Sequence, residues 1–225
     1  MEPKLKKQII LPIIAIIGIC TIALLVFSNN PTKQDTQSIQ EFFIIEDFED
    51  YTNEEPNRVW DVWIDGWDDE INSSTIGYPD PDFEVGEHIL ETKIVHSGYQ
   101  SAPIFYDLDH GIFSEVTIST TKLEIGKDWS AYSPDILTLW FYGYSDNDPA
   151  KMYLKLNNSK IYYKNSGHLT KEKWRQWNIN LSEFNVDLKN VYALGIGFET
   201  SDKYSAGIGL VFIDDICLSR NTSDH

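Results

Sequence analysis

Residues 174–181 read Trp-Arg-Gln-Trp-Asn-Ile-Asn-Leu. Trp177, Ile179 and Leu181 alternate with Gln176, Asn178 and Asn180, a period of two that puts apolar groups on one face of an extended strand. The same period recurs through the chain. In Ser114–Leu123, Val116 and Ile118 alternate with Glu115, Thr117 and Ser119, and in Met152–Leu156 the residues Met152, Leu154 and Leu156 share one face. Further strands are expected at 42–48, 89–96, 103–108, 136–144, 160–164, 192–199 and 209–218. Turn residues separate them: Pro79-Asp80-Pro81-Asp82, Ser97-Gly98, Asp146-Asn147-Asp148-Pro149, Asn157-Asn158 and Ser166-Gly167. No segment keeps helical spacing long enough for a crossover helix. About ten short strands then specify an all-β domain, a two-sheet antiparallel sandwich whose commonest form at this size is the jelly roll.

Ahead of that domain the composition is different. Lys4, Lys6 and Lys7 precede an unbroken apolar run, Ile9 to Phe27, which as a helix would rise roughly 28 Å, the thickness of a hydrocarbon core. Basic flanks on the N-terminal side leave residues 1–8 in the cytoplasm and the rest outside. The expectation is a single-pass cell-membrane protein with an N-terminal transmembrane signal-anchor at 9–27; a cleaved signal peptide is the alternative, and either places the remainder outside the cytoplasm. Residues 28–41 are polar and aperiodic, as in a tether, residues 42–219 form one domain, and 220–225 form a flexible tail.

The formal net charge is −17, and of the acids only Glu2 precedes residue 28. Such a surface repels nucleic acid and anionic head groups, while its carboxylates suit hard cations such as calcium. Cys20 lies in the apolar run and Cys217 in a strand, so no disulfide is expected within the domain. The sequons at Asn72, Asn157, Asn180 and Asn221 are compatible with an exported surface.

Two stretches place acids where apolar residues belong. In Leu210–Leu218 both faces are apolar, yet Asp214 and Asp215 stand side by side, and strand geometry sends their side chains to opposite faces. In Ile44–Asp50, Glu46, Asp47, Glu49 and Asp50 interrupt a similar strand. First and last strands of a sandwich are often neighbours, so these acids could converge on one calcium ion; alternatively, they accept backbone amide bonds at a sheet end.

Four stretches in order resemble the galactose-binding-like jelly rolls, which include many carbohydrate-binding modules: Asp47-Phe48-Glu49, Val95-His96-Ser97-Gly98-Tyr99-Gln100-Ser101, the Trp174/Trp177/Ile179/Leu181 strand and Phe212-Ile213-Asp214-Asp215-Ile216. The resemblance covers nearly all of the exported domain. It implies a binding module with a structural calcium between first and last strands, at Glu49 and Asp214 or Asp215, but names no ligand; with Asp47 these acids are the candidate metal residues.

A ligand surface is expected at Trp60–Trp67, where aromatic faces would cover the C–H faces of a sugar while carboxylates take its hydroxyls. Extended, this segment would align Trp63, Asp65 and Trp67 on one side; otherwise its tryptophans plug the end of the sandwich. Trp67, next to Gly66 and three acids, is the best candidate for exposure, and Tyr78 beside the Pro79 turn is a second. His96 reads as a strand-end structural residue, and the other histidines have no zinc spacing. Catalytic signatures are absent. There is no G-x-S-x-G or H-E-x-x-H, and Glu46-Asp47-Phe48-Glu49 departs from the acid spacing of jelly-roll glycosidases. The expected function is a non-catalytic, membrane-anchored module that binds glycan or cell-surface polysaccharide. The alternatives are a protein-interaction sandwich at the cell surface or a jelly-roll glycoside hydrolase.

Overall fold

In the computed structural model, the described residues are 39–67, 69, 71–111, 113–200 and 207–222. The apolar run 9–27 and most of the expected tether lie outside them, and among the described residues no helix is long and apolar enough to cross a membrane. Ten strands are present among the described residues: β1 (Ile39–Glu46), β2 (Ser74–Ile76), β3 (Ala102–Asp107), β4 (Ser114–Ser119), β5 (Ile136–Tyr142), β6 (Ala150–Leu156), β7 (Ser159–Tyr162), β8 (Trp174–Asn180), β9 (Ala193–Thr200) and β10 (Ile208–Thr222). One helical turn, α1, covers Val59–Val62.

The strands make two antiparallel sheets. The larger runs β2-β3-β10-β5-β8 with β1 also on β10, and the smaller runs β4-β9-β6-β7. The alternation seen in the sequence supplies the layer between them. Leu137, Leu139 and Phe141 of β5 face Met152, Leu154 and Leu156 of β6 and Leu194, Ile196 and Phe198 of β9, all fully buried. Tyr106 stacks on Phe198 across the core at 4.5 Å between ring centroids and gives its hydroxyl to the Asp148 carbonyl at 2.6 Å. That bond removes the cost of burying the phenol.

β10 organises the larger sheet. On one side it pairs with β5. On the other it pairs first with β3, through Ile208–Ile213, and then with β1, from Ile216 onward. Asp214 and Asp215 therefore fall in the gap where one partner strand replaces another.

Several sequence expectations are corrected. Residues 89–96 form no strand. Only Glu91 bridges to Ser101, and the amides of Lys93 and Ile94 are taken by the Glu91 carboxylate at 2.5 and 3.2 Å. Adjacent Ile89 and Leu90 are both buried, which an alternating strand does not allow. The three-residue β2 was not foreseen, being too short to show a period. β1 begins at Ile39, within the expected tether, and β10 continues to Thr222, so residues 220–222 belong to the sheet and not to a loose tail.

Candidate functional site

The segment after α1 is held by polar groups and by a glycine. Trp63 caps α1 with its amide on the Val59 carbonyl at 2.8 Å. The helical turn, in place of an extended strand, sends Trp63 inward. It is 1% exposed, stacks on Phe48 at 5.9 Å and donates its indole N–H to Glu46 and to Tyr51. Trp63 is thus core, and the expected three-residue platform with it is corrected. The backbone then turns at Gly66, where any Cβ would lie 1.8 Å from the Asn72 carbonyl oxygen. Only glycine allows that approach, which lets the Gly66 amide reach the Ser74 carbonyl and hydroxyl, both at 3.0 Å. Asp65 pins the same turn, accepting from the amides of Trp67 at 3.1 Å and Ile76 at 3.0 Å.

The result is an outward Trp67, 59% exposed. It lines a cleft of about 580 Å³ together with Trp60, Phe83, Pro79, Asp65, Asp80, Asn53 and Arg58. Arg58 is fixed by Asp61, at 2.9 and 2.8 Å, and by Glu55 at 2.7 Å, and its guanidinium lies 5.7 Å from the Trp60 ring. The cleft therefore combines rings and prolines with carboxylate, amide and guanidinium groups at its rim, the pairing of apolar faces and oriented polar groups that a sugar requires. Of the four expected ligand residues, the structure brings Trp67 and Asp65 to this cleft. Tyr78 instead donates to Glu91 at 2.5 Å and packs edge-on against Phe105. Arg58, Trp60, Asn53 and Phe83 were not singled out as ligand residues from sequence. Trp60 and the Pro79-Asp80-Pro81 turn were visible there, but nothing in the sequence says that they meet.

Three of the four expected calcium residues, Asp214, Asp215 and Glu49, contact the 96–100 loop beside the middle of β10. Asp214 is fully buried, and its carboxylate accepts three backbone amides: His96 at 2.9 Å, Ser97 at 3.2 Å and Asp215 at 2.9 Å. Asp215 does not point to the opposite face. Its φ of 45° and the register shift between Asp214 and Cys217 break the extended geometry, so it too turns to the 96–97 loop, contacting His96 Nδ1 at 2.5 Å and Ser97 Oγ at 2.9 Å. Burial, with the neighbouring Asp215 charge, pushes the Asp214 carboxyl up to about 7. Burial also raises Asp47, to which the charges of Asp50 and Asp215 contribute, while its bond from the Glu49 amide opposes the rise. Glu49 accepts the amides of Tyr99 at 2.9 Å and Gln100 at 3.2 Å. Among the described residues no three acidic, histidine or cysteine side chains are arranged to hold one metal ion. As placed, the carboxylates fit the strand gap, where they cap amides that no strand pairs.

The solvent-facing side of the smaller sheet closes on itself. Glu115 takes bonds from Lys155 at 2.6 Å and the Tyr153 hydroxyl at 2.8 Å, and Lys160 sits 3.9 Å over the Tyr153 ring while pairing with Glu199. Burial of Glu199 is outweighed by its bonds from Lys160 and Tyr162, which hold its carboxyl below the ordinary value.

No family model matches the chain, and comparison with curated proteins finds no significant relative. Among solved structures it is similar to the family 11 carbohydrate-binding module from Clostridium thermocellum in complex with a β-1,3-1,4-mixed-linked tetrasaccharide (13% identity, TM-score 0.48, 82% of this chain and 98% of that one). It is also similar to the CBM22-1 xylan-binding domain of Xyn10C from Paenibacillus barcinonensis (11%, 0.39, 84% and 99%). A third is a β-1,2-glucanase from Parabacteroides distasonis (13%, 0.43, 64% and 22%). At these identities and scores nothing about ligand or activity follows for this chain.

Proposed function

We propose that this chain is a non-catalytic, membrane-anchored domain that binds glycan at the cell surface through the Trp67 cleft. The observation that carries the reading is an exposed indole held outward by a backbone that only Gly66 permits, in a cleft whose rim carries Asp65, Asp80, Asn53 and Arg58. The apolar run at 9–27 supports the anchor. Residues 39–222 are tested by native electrophoresis through gels containing mixed-linkage β-glucan, xylan, xyloglucan or galactomannan. Retardation by at least one polymer, lost in Trp67→Ala, is expected. A wild-type domain that none of them retards overturns the reading and leaves a protein-interaction sandwich. Calcium between the terminal strands remains a separate proposal. It rests on the charge coupling of Asp47 to Asp215 and of Asp215 to Asp214, and would require the amide-bonded carboxylates to rearrange.

A further inference from the structure

The outer face of the larger sheet is unusually rich in rings for a face turned away from the core. β5 sends Leu137, Leu139 and Phe141 inward, so Trp140 and Tyr142 point out, both half-buried. His96 stacks on Trp140 at 3.8 Å and meets Trp174 edge-on at 5.5 Å, so Trp140 is covered and takes no part in the ring rows. Register then aligns rings across strands. Phe212 of β10 lies opposite Tyr142, and Tyr142 lies opposite Trp174 of β8. The ring centroids of these pairs are 6.0 and 5.6 Å apart, both edge-on. Toward the other edge, Phe105 of β3 packs edge-on with Tyr78 at 5.9 Å. Tyr144, two residues beyond Tyr142 and just past β5, is 39% exposed.

These rings join the cleft already described. Phe105 borders a second hollow with Trp67, Pro79 and Thr75. Tyr78 precedes Pro79, which lines the Trp67 cleft. From β2 to β8 the sheet spans four strand intervals, about 19 Å, which exceeds any single sugar ring.

We propose that this face carries a neutral glycan chain onward from the Trp67 cleft, across Phe105, Tyr144 and Tyr142 to Trp174. The inference rests on the glycan-binding reading and deepens it: the ligand is a polymer bound along its length. Two features select a neutral polysaccharide as the occupant. Exposed Gln176 stands on Trp174's side of β8 and supplies an amide for hydroxyls, whereas a protein partner's apolar patch would find this amide unpaired. The acidic balance of the chain, −17, opposes an anionic polymer. Half-buried rings fixed by edge-on neighbours also lose little freedom when a sugar stacks on them.

The test uses the domain 39–222 and the four polymers above, comparing wild type with Trp67→Ala, Trp174→Ala and Tyr144→Ala, each checked for an unchanged far-ultraviolet spectrum. Tyr144 lies outside the strand, so its variant serves if Trp174→Ala fails to fold. The expected result is five- to tenfold weaker polymer binding in Trp174→Ala or Tyr144→Ala, with binding of the corresponding disaccharide unchanged by either. If Trp67→Ala weakens binding and both outer-face variants match wild type, the onward track is overturned and the cleft reading stands. If the outer-face variants weaken binding while Trp67→Ala does not, the continuous track is likewise overturned, and the cleft reading falls with it. Absence of wild-type retardation by every polymer overturns both.

Discussion

Trp67→Ala isolates the cleft from the rest of the fold, and its effect can be worked from exposure. An indole side chain presents roughly 250 Å² at most, so with 59% exposed about 150 Å² faces solvent. A pyranose stacked on one face covers about half of that. At roughly 25 cal/mol/Å², about 75 Å² corresponds to about 2 kcal/mol, or a roughly 30-fold rise in Kd. The covered remainder of the ring is loop packing against a flexible reference state, so the loss of folding stability is expected to stay below about 2 kcal/mol. Isothermal titration with whichever polymer retards the wild type measures the first quantity, and urea unfolding measures the second. Trp67→Phe, which keeps a smaller ring, should recover about half of the lost binding energy. Unchanged Kd together with a stability loss above about 3 kcal/mol would refute the argument, because it would mean that the indole is structural.

Asp214 gives a pH signature. Its carboxyl lies at about 7 in the fold against an ordinary 3.8, so the folded state holds a proton that the unfolded chain releases. Its contribution to stability should therefore be fully present below about pH 4 and be lost as pH rises to about 7, by at most roughly 4 kcal/mol. The wild-type minus Asp214→Asn difference in urea midpoints, followed from pH 4 to 8, reads this slope; parallel curves would contradict it. Calcium at the terminal strands should raise Tm by roughly 5–10 °C, reversibly by chelator, in thermal scans; no shift after prolonged chelation removes the ion from this end. Gly98→Ala should cost more than about 2 kcal/mol, since φ is +66° and the new Cβ would lie 2.3 Å from Glu49 Oε1. Gly86→Ala, with φ +84° but nothing within 4 Å, should cost only about 1 kcal/mol in the same denaturation assay.

Much of the sandwich was legible because its strands are long enough to show a period. β5, β6 and β8 follow the alternation of their sequences, and the adjacency of first and last strands follows from the order of a two-sheet fold. β2 was hidden by its length, and 89–96 misled because Glu91 satisfies backbone amides that a strand would have paired. The acids of β1 and β10 were visible as anomalies. Their common direction was not, since it depends on Asp215 leaving the extended region and on β10 exchanging β3 for β1 at that point. Within the cleft, the exposure of Trp67 was readable from Gly66 and the surrounding acids. The inward turn of Trp63 was not, because it follows from one turn of helix and a buried Glu46 seventeen residues away. The ring rows on the outer sheet face depend on inter-strand register, which no single strand's sequence contains.

The position of β10 also sets the order in which the chain can acquire structure. β1, β3 and β5 come earlier in the chain, yet each finds its place in the larger sheet against β10, the last strand of the domain. Until that strand is available, and among the described residues, β1 has no strand partner, β3 pairs only with the three residues of β2, and β5 pairs only with β8. Folding is then dominated by contacts distant in sequence, which makes it slow and places the decisive step late. A chain stopped at Gly207 would not be a slightly weakened domain; it would lack the strand that joins the halves of its larger sheet, and should remain unfolded and protease-sensitive.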